Sequence, residues 1–226
     1  MPVELPDLDA VLASAAELQS IVPGAVLVGG TAVAFRVRHR QSADHDHVLV
    51  DLAERFDTVL DNLEALGEWS TAKAQPGRII LGSLGGIESG VRQLRRRCPL
   101  ETEVVTINDR ALTVPTLPET LRIKAWLVVS RNQTRDHLDV AALADHLGVV
   151  EAAAVLSVID EYYEDLNTGD QPGATQLVRQ LSSPRPRDAT VTEELAAYRG
   201  LDPRWHDWHD VCAVLRAVAR EMVLPS

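Results

Sequence analysis

The run Ser42-Ala43-Asp44-His45-Asp46, preceded by the glycine pair Gly29-Gly30, constrains this chain more than any other feature. Residues 25–28 are four apolar residues that end at a glycine, which is typical of a short buried strand. Gly29, Gly30 and Thr31 then lead into a helical pattern. A glycine turn that opens a helix presents free backbone N–H groups to an anion. The sequence therefore predicts an anion-binding turn just before the acidic run.

The two aspartates of that run are spaced to act together. Residues two apart on a strand point to the same face of the sheet, so we expect Asp44 and Asp46 to lie side by side. Two adjacent carboxylates repel each other unless one is protonated or a cation lies between them. Mg²⁺ (or Mn²⁺) prefers such oxygen ligands and commonly bridges carboxylates and phosphates. A phosphate-binding turn, a hydroxyl and paired carboxylates together are typical of triphosphate chemistry.

A second group of charged residues follows on two consecutive predicted helices, 117–130 and 134–147. Lys124 falls on the same helical stripe as apolar residues, and a buried ammonium group needs a partner. Triphosphate oxygens or a catalytic carboxylate would serve, and so would Asp139, which also faces the core stripe of its helix. A lysine at the edge of the core, or paired with Asp139 for packing alone, is the structural alternative. For Asp136 we expect an ion pair with Arg131 or Arg135.

These two groups resemble motifs of the AbiEii/MenT branch of the nucleotidyltransferase superfamily, and they occur in the same order. The resemblance covers roughly residues 25–145, whereas the C-terminal third carries no matching motif. It implies an α/β (α+β) fold with a mixed sheet flanked by helices, a nucleotidyltransferase core over residues 1–115, and a helical region over 116–226 that completes and flanks the site. The matching residues are Gly29, Gly30, Thr31, His39, Arg40, Ser42, Asp44 and Asp46, followed by Leu121, Arg122, Ile123, Lys124, Arg131, Arg135, Asp136 and Asp139.

The resemblance also implies roles for these residues. Asp44, Asp46, Lys124 and Asp139 are expected to be catalytic, and the first two to hold the metal ion. The expected contacts to the nucleoside triphosphate come from Gly29, Gly30, Thr31, Arg40, Ser42 and Arg131.

The resemblance further implies a third carboxylate on a central strand beside the aspartate pair. Residues 101–107 read as a strand on which Glu101 and Glu103 share a face, and Glu103 is the first candidate for a third metal ligand. The alternative is that both glutamates are exposed to solvent on a half-buried strand. Asp46, Glu103 or Asp139 is the expected base for the attacking hydroxyl.

The activity implied by the resemblance is transfer of a nucleotide from a triphosphate, often CTP or another pyrimidine, to the 3′ end of tRNA. Such an enzyme acts as the toxin of a toxin–antitoxin pair, blocks translation and binds a cognate antitoxin protein. A protein side chain or a small molecule is an alternative acceptor. Because His-Asp pairs recur at His45, His206 and His209, a metal-dependent phosphohydrolase is the alternative enzyme class.

Composition limits the other possibilities. The net charge of −11 argues against a general nucleic-acid coat protein, because phosphate binding needs clustered cations. Residues 36–40 nevertheless form a local basic cluster beside the predicted site. Two cysteines without a motif spacing fit a reducing cytosol. We find no long apolar stretch and no signal peptide at the N-terminus, so we expect a cytoplasmic protein without a membrane segment.

Periodicity and turn residues give a coarse set of elements. The glycine-rich stretch 82–90 lacks the Lys-Ser/Thr of a P-loop and is interpreted as a bend between strands. Helices are predicted over residues 8–18, 53–66, 117–130, 134–147, 149–166 and 205–223, and strands over 25–28, 46–51, 69–74, 78–84, 101–107 and 111–114.

Overall fold

The computed structural model describes residues 6–198 and 200–224. The chain divides into two compact units. One, the sheet unit, contains Met1–Phe35, Gln41–Arg95 and Glu101–Thr116. The other, the helical unit, contains Arg36–Arg40, Arg96–Leu100 and Leu117–Ser226. The helical unit thus includes two short segments that precede residue 116 in the sequence. It is therefore not a single contiguous stretch of the chain.

The sheet unit contains a five-stranded mixed sheet with the order β1-β2-β5-β4-β3. β2 and β5 pair in parallel, whereas the other neighbours are antiparallel. A separate antiparallel hairpin is formed by β6 and β7. The elements are α1 (Leu8–Ile21), β1 (Val26–Val28), α2 (Gly29–Val37, whose end enters the helical unit), β2 (Asp44–Leu49), α3 (Leu52–Glu64), β3 (Trp69–Gln75), β4 (Ile79–Leu84), β5 (Ile87–Gln93), β6 (Thr102–Ile107) and β7 (Arg110–Pro115).

Aliphatic side chains form two hydrophobic clusters in this unit. The first joins the apolar stripe of α3, including Phe56 and Leu63, to Ile80 and Val91 of the sheet. The second joins α1 to β1, α2 and the β6–β7 hairpin. The helix at 53–66 and the hairpin at 101–114 are therefore confirmed, because their apolar periodicity matches a face that is buried.

The helical unit is built on α4 and α5. Its helices are α4 (Leu117–Ser130), α5 (Thr134–Leu147), α6 (Val149–Ser157), α7 (Ile159–Tyr163), α8 (Gly173–Ser182), α9 (Thr190–Glu193) and α10 (Trp208–Val223), with three short 3₁₀ turns between them. The single helix predicted over 149–166 is wrong, since it breaks at Val158 into α6 and α7. The cap of α5 is Gln133, with Asp136 completing a capping box, and Thr134 is its first helical residue.

Within the described residues, no single helix is long and apolar enough to cross a membrane. Taken together, α5 and α6 have the length and apolar composition of a membrane-spanning helix, but the two helices meet at a bend of 119°.

Candidate active site

The turn between β1 and α2 has the backbone conformation that requires glycine. Gly29 begins α2 with φ of +80°, in the left-handed region that other residues rarely adopt. The first N–H groups of a helix have no acceptor within the helix. The N–H groups of Gly29, Gly30 and Thr31 therefore have no acceptor within α2. They lie directly after β1, as the sequence predicts for an anion-binding turn.

A chain of hydroxyl groups links this turn to the acidic strand. Thr31 is buried, and its hydroxyl donates to the backbone carbonyl of Asp44 and lies 2.9 Å from the Ser42 hydroxyl. Ser42 in turn donates to Oδ1 of Asp44 at 3.1 Å. The Thr31 side chain, predicted to bind the triphosphate, is thus already used to hold Ser42 and Asp44. Its backbone N–H remains part of the turn.

Asp44 and Asp46 both lie on β2, two residues apart, so they share one face of the sheet as expected. Asp44 is exposed, and the Asp46 side chain is 34% exposed. Gly90 on the neighbouring strand β5 leaves space for the Asp46 side chain, because a Cβ at position 90 would lie 2.7 Å from Oδ1 of Asp46. Arg92, two residues further along β5, places Nε 3.3 Å from the same oxygen.

The strands beside β2 are β1 and β5, so the expected placement of Glu103 on a central strand next to the aspartate pair is wrong. Glu103 lies on β6, in the separate hairpin, where it is exposed and paired in register with Val114. In the parallel register of β2 with β5, Glu88 lies opposite Asp44. Residues in register share a face, so Glu88 is the carboxylate that accompanies the pair. Sequence reasoning missed it because Glu88 lies within the glycine-rich stretch 82–90, which was interpreted as a bend between strands.

The other face of β2 carries two buried histidines. His45 Nε2 lies 3.0 Å from the Ser14 hydroxyl and 2.9 Å from the Ser89 hydroxyl. The His45 and His47 rings meet edge to face, with centroids 5.2 Å apart. Burial lowers the pKa of His45 to about 4, against a smaller opposing effect of Asp44. Burial also lowers the pKa of His47 well below its usual value. Both rings are therefore neutral at pH 7 and serve as packing behind the acidic face.

In the helical unit, a buried cluster forms around Asp139. Lys124 Nζ lies 2.8 Å from Oδ2 of Asp139. Arg40 places Nε 2.9 Å from Oδ1 and Nη2 3.1 Å from Oδ2. His39 Nε2 lies 2.7 Å from Oδ1. The Asp139 side chain is fully buried, and those of Lys124 and Arg40 are 3% and 9% exposed. The expectation that Lys124 and Asp139 both face inward is confirmed.

This cluster decides the protonation of its carboxylate. Burial alone would raise the pKa of Asp139, but the Lys124 ammonium, the Arg40 guanidinium and the His39 hydrogen bond outweigh it and hold the pKa well below its usual range. Asp139 is therefore held in its charged form between Lys124, Arg40 and His39, which suits a positioning role. The Asp139 carboxylate is thus shared by two basic side chains, Lys124 and Arg40.

The expected ion pair of Asp136 is confirmed, with Arg131 as its partner. Arg131 Nε lies 2.7 Å from Oδ2 of Asp136, and Nη2 lies 2.5 Å from Oδ1. This two-pronged geometry is the strong form of an arginine–carboxylate pair. Because the charge of Arg131 is balanced locally, Arg131 is a weaker candidate for binding a triphosphate than Lys124 or Arg40.

The donor chemistry of the sheet unit fits Mg²⁺. Carboxylate oxygens on one face of adjacent strands are hard ligands, which suit a cation that is completed by substrate phosphates and water. Asp44 and Asp46 are the two residues that would hold it. Among residues 6–198 and 200–224, no three His, Cys, Asp or Glu side chains form a ready-made metal site.

Comparison with solved structures places this geometry in a known fold. MenT4, a nucleotidyltransferase toxin of Mycobacterium tuberculosis H37Rv, matches with a TM-score of 0.62 and 18% identity, over 97% of this chain and 84% of MenT4. A candidate nucleotidyltransferase from H. pylori matches with a TM-score of 0.51 and 14% identity, over 95% of this chain and 92% of that one. ANT(2″)-Ia, an antibiotic-resistance factor, matches with a TM-score of 0.51 and 12% identity, over 70% of this chain and 94% of ANT(2″)-Ia. The chain therefore has the nucleotidyltransferase fold, which it shares with MenT4 over nearly its whole length.

Sequence comparison gives a different kind of match. No family model matches the chain. The heme uptake protein MmpL11 of Mycobacterium tuberculosis H37Rv is 47% identical over 96 residues, which is 42% of this chain and 10% of MmpL11. The probable transport protein MmpL11 of Mycobacterium leprae is 38% identical over 161 residues, which is 70% of this chain and 14% of that protein. The chain thus spans at most about a seventh of these relatives.

Proposed function

We propose that this protein is a nucleotidyltransferase, which moves a nucleoside monophosphate from a nucleoside triphosphate to an acceptor hydroxyl. The observation that carries the proposal is the pairing of Asp44 and Asp46 on one face of β2, directly after a glycine turn that opens a helix. The nucleotidyltransferase fold of the chain supports it.

The sheet unit supplies the acidic part of the proposed chemistry. Asp44 and Asp46 would hold Mg²⁺ or Mn²⁺, and the ion would supply neutralisation of phosphate charge and polarisation of the α-phosphorus. The first N–H groups of α2, at Gly29 and Gly30, bind phosphate oxygens. Ser42 holds Asp44 in place through its hydroxyl at 3.1 Å.

The helical unit supplies the basic part. We assign Lys124 and Arg40 to the triphosphate, because two basic side chains held together on Asp139 would offset the charge growing on the leaving pyrophosphate. Asp139 positions both of them through hydrogen bonds of 2.8 to 3.1 Å. Arg40 and Ser42 lie two residues apart, so one short loop carries residues of both groups.

In the proposed reaction the acceptor oxygen attacks the α-phosphorus, a new P–O bond forms, and the bond to pyrophosphate breaks. The proton of the acceptor hydroxyl goes to a carboxylate. The oxygens of Asp139 are occupied by Lys124, Arg40 and His39, and Glu103 lies on the separate hairpin. We therefore assign this proton to Asp46 and expect Glu88 to assist at the same face.

For the acceptor we propose the 3′ end of tRNA, with CTP or another pyrimidine triphosphate as donor. MenT4, which shares the fold, is described as a nucleotidyltransferase toxin. A toxin acting on tRNA would work in the cytoplasm, block translation and be held in check by a cognate antitoxin. A small molecule is the second candidate acceptor, because ANT(2″)-Ia, which also shares the fold, is known in complex with adenylyl-2″-tobramycin.

One experiment separates these acceptors. The purified protein is incubated with Mg²⁺, each of the four α-³²P-labelled triphosphates, and either total tRNA or tobramycin. We expect label on the 3′ end of tRNA. Label on tobramycin alone would refute the tRNA proposal, and release of labelled monophosphate without a labelled acceptor would favour a phosphohydrolase.

Matched variants test the assigned residues in the same assay. Loss of a charge that stabilises the transition state costs about 10²- to 10³-fold in rate, so we expect Asp44→Asn and Lys124→Met to lose at least that much. Glu88→Gln should lose activity, whereas Glu103→Gln should keep it. The opposite result for the two glutamates would restore Glu103 as the third carboxylate. Expression in a bacterial host should inhibit growth, and Asp44→Asn should relieve the inhibition.

A further inference from the structure

A cluster of exposed arginines lies at the corner between α4 and α5. We call it the arginine corner and define it by Arg135, Arg185 and Arg187. Within the described part of the chain, none of the three takes part in an ion pair. In a protein with a net charge of −11, three exposed guanidinium groups thus lie on neighbouring segments, with the Asp188 carboxylate as a nearby negative charge.

The segment that carries Arg185 and Arg187 is fixed to the corner by its backbone. The Arg187 N–H donates to the carbonyl of Asn132 at 2.8 Å, and the Asn132 side-chain amide donates to the carbonyl of Arg185 at 2.9 Å. The Asp188 carboxylate accepts from the N–H of Thr134 at 2.7 Å and from its hydroxyl at 2.9 Å. Side-chain changes at the two arginines leave these bonds intact.

The local sequence makes this segment stiff. Arg185 lies between Pro184 and Pro186, whose rings restrict φ and reduce the freedom of the chain. Pro186 is buried, whereas Arg185 and Arg187 on either side of it are exposed. The two guanidinium groups are therefore presented to solvent from a preorganised backbone.

The corner is also anchored to the protein interior. Asn132, with φ of +53°, accepts a hydrogen bond through Oδ1 from the buried His137 ring, whose Nε2 is 2.7 Å away. The His137 ring meets Trp208 of α10 edge to face at 6.0 Å. Burial lowers the pKa of His137 to about 4, so the ring is neutral and its bond to Asn132 persists at physiological pH.

The carboxylates nearest the corner are already engaged. Asp136 is paired with Arg131, and Asp188 is bonded to Thr134. The Arg135 Nε donates to the side-chain carbonyl of Gln133 at 3.0 Å, which holds its head group near the helix start. Asp188 keeps its negative charge near Arg135, but the three arginines outnumber it, so the corner has an excess of positive charge on a fixed backbone.

We propose that the arginine corner binds the phosphate backbone of an RNA acceptor. Arginine forks match phosphate oxygens, and contacts of this kind position a nucleic acid without reading its bases. This inference rests on the proposed function, since it names the surface that would hold the body of a tRNA during transfer. A rigid set of cations loses little conformational entropy on binding.

The test measures how tightly a fluorescein-labelled tRNA transcript binds to the full chain in the absence of triphosphate. Binding is detected by fluorescence anisotropy at a series of KCl concentrations. Each lost phosphate contact lowers the slope of log K against log[salt] by about 0.7 to 0.9. The variant R135Q/R185Q/R187Q should therefore lower the slope by about 2 to 3 and weaken binding roughly 10- to 50-fold at 0.15 M salt.

Two matched controls keep the test specific. R78Q/R216Q/R220Q removes the same charge from three other exposed arginines and should leave affinity and slope unchanged. Asn132→Gly keeps the positive φ but removes both side-chain hydrogen bonds. It should weaken binding while the salt slope stays the same.

The outcomes also separate this inference from the proposed function. If the arginine-corner variant binds tRNA as the wild type does, or if the control triple variant loses as much affinity, the surface is refuted. If the wild type binds tRNA through the corner but transfers no nucleotide, the proposed function fails and the binding surface stands.

Discussion

The buried cluster around Asp139 makes a quantitative prediction about stability. Asp139→Asn removes the one carboxylate that balances Lys124 and Arg40, whose side chains are 3% and 9% exposed. Removing one partner of a buried ion pair costs about 3–5 kcal/mol, because the remaining charge is left desolvated. For a chain of this size, 1 kcal/mol corresponds to about 2–4 °C in Tm. We therefore expect Tm to fall by roughly 6–20 °C.

The assay is urea and thermal unfolding, followed by far-UV circular dichroism and by tryptophan fluorescence. The control is Asp145→Asn, whose exposed carboxylate lies 3.5 Å from Arg204 and should matter by less than about 1 kcal/mol. The double variant with Lys124→Met should recover part of the loss, since it also removes the unbalanced ammonium. A loss for Asp139→Asn no larger than that of the control would refute the reasoning.

Two further predictions concern the strand that carries the aspartates and the buried histidines. Gly90→Ala should abolish transfer with a small loss of stability, because the new Cβ would lie 2.7 Å from Oδ1 of Asp46, whereas Gly67→Ala, with no atom within 4 Å, should leave activity unchanged. His45 and His137 have folded pKa values of about 4, below the 6.5 of the unfolded chain. The unfolded chain therefore binds more protons between these values, so stability should fall as pH drops from 6.5 to 4, by up to about 3 kcal/mol for each histidine. Urea midpoints at pH 7 and pH 4.5 would check this, and equal midpoints would contradict it.

Local patterns predicted most elements of the fold correctly. The strand at 25–28, the helix that follows Gly29, and the helix at 134–147 all follow from apolar runs and turn residues, which act within a few neighbours in sequence. The inward orientation of Lys124 and Asp139 also followed from helical spacing, because their stripe is the buried face of each helix.

What sequence could not supply was the order of the strands. Pairing of β2 with β5 joins residues more than forty positions apart, and no local pattern shows that β6 leaves the main sheet for a hairpin of its own. Glu88 was therefore overlooked and Glu103 preferred. A signal was present, since glycine at 90 beside a carboxylate strand indicates close approach of another group.

The charge state of Asp139 also lay beyond the sequence. A carboxylate on a buried stripe looks like a candidate base, because burial alone raises its pKa. Here Arg40, ninety-nine residues away along the chain, joins Lys124 at the same group and reverses the shift. The number of cations around a buried acid depends on tertiary contacts.

The most direct test of the central claim is to follow both ends of the triphosphate. With Mg²⁺ and tRNA, the wild-type protein should place the α-phosphate of the donor on the acceptor and release pyrophosphate in equal amount, and Asp44→Asn should do neither. Transfer of the γ-phosphate, release of inorganic phosphate alone, or full activity of Asp44→Asn would contradict it.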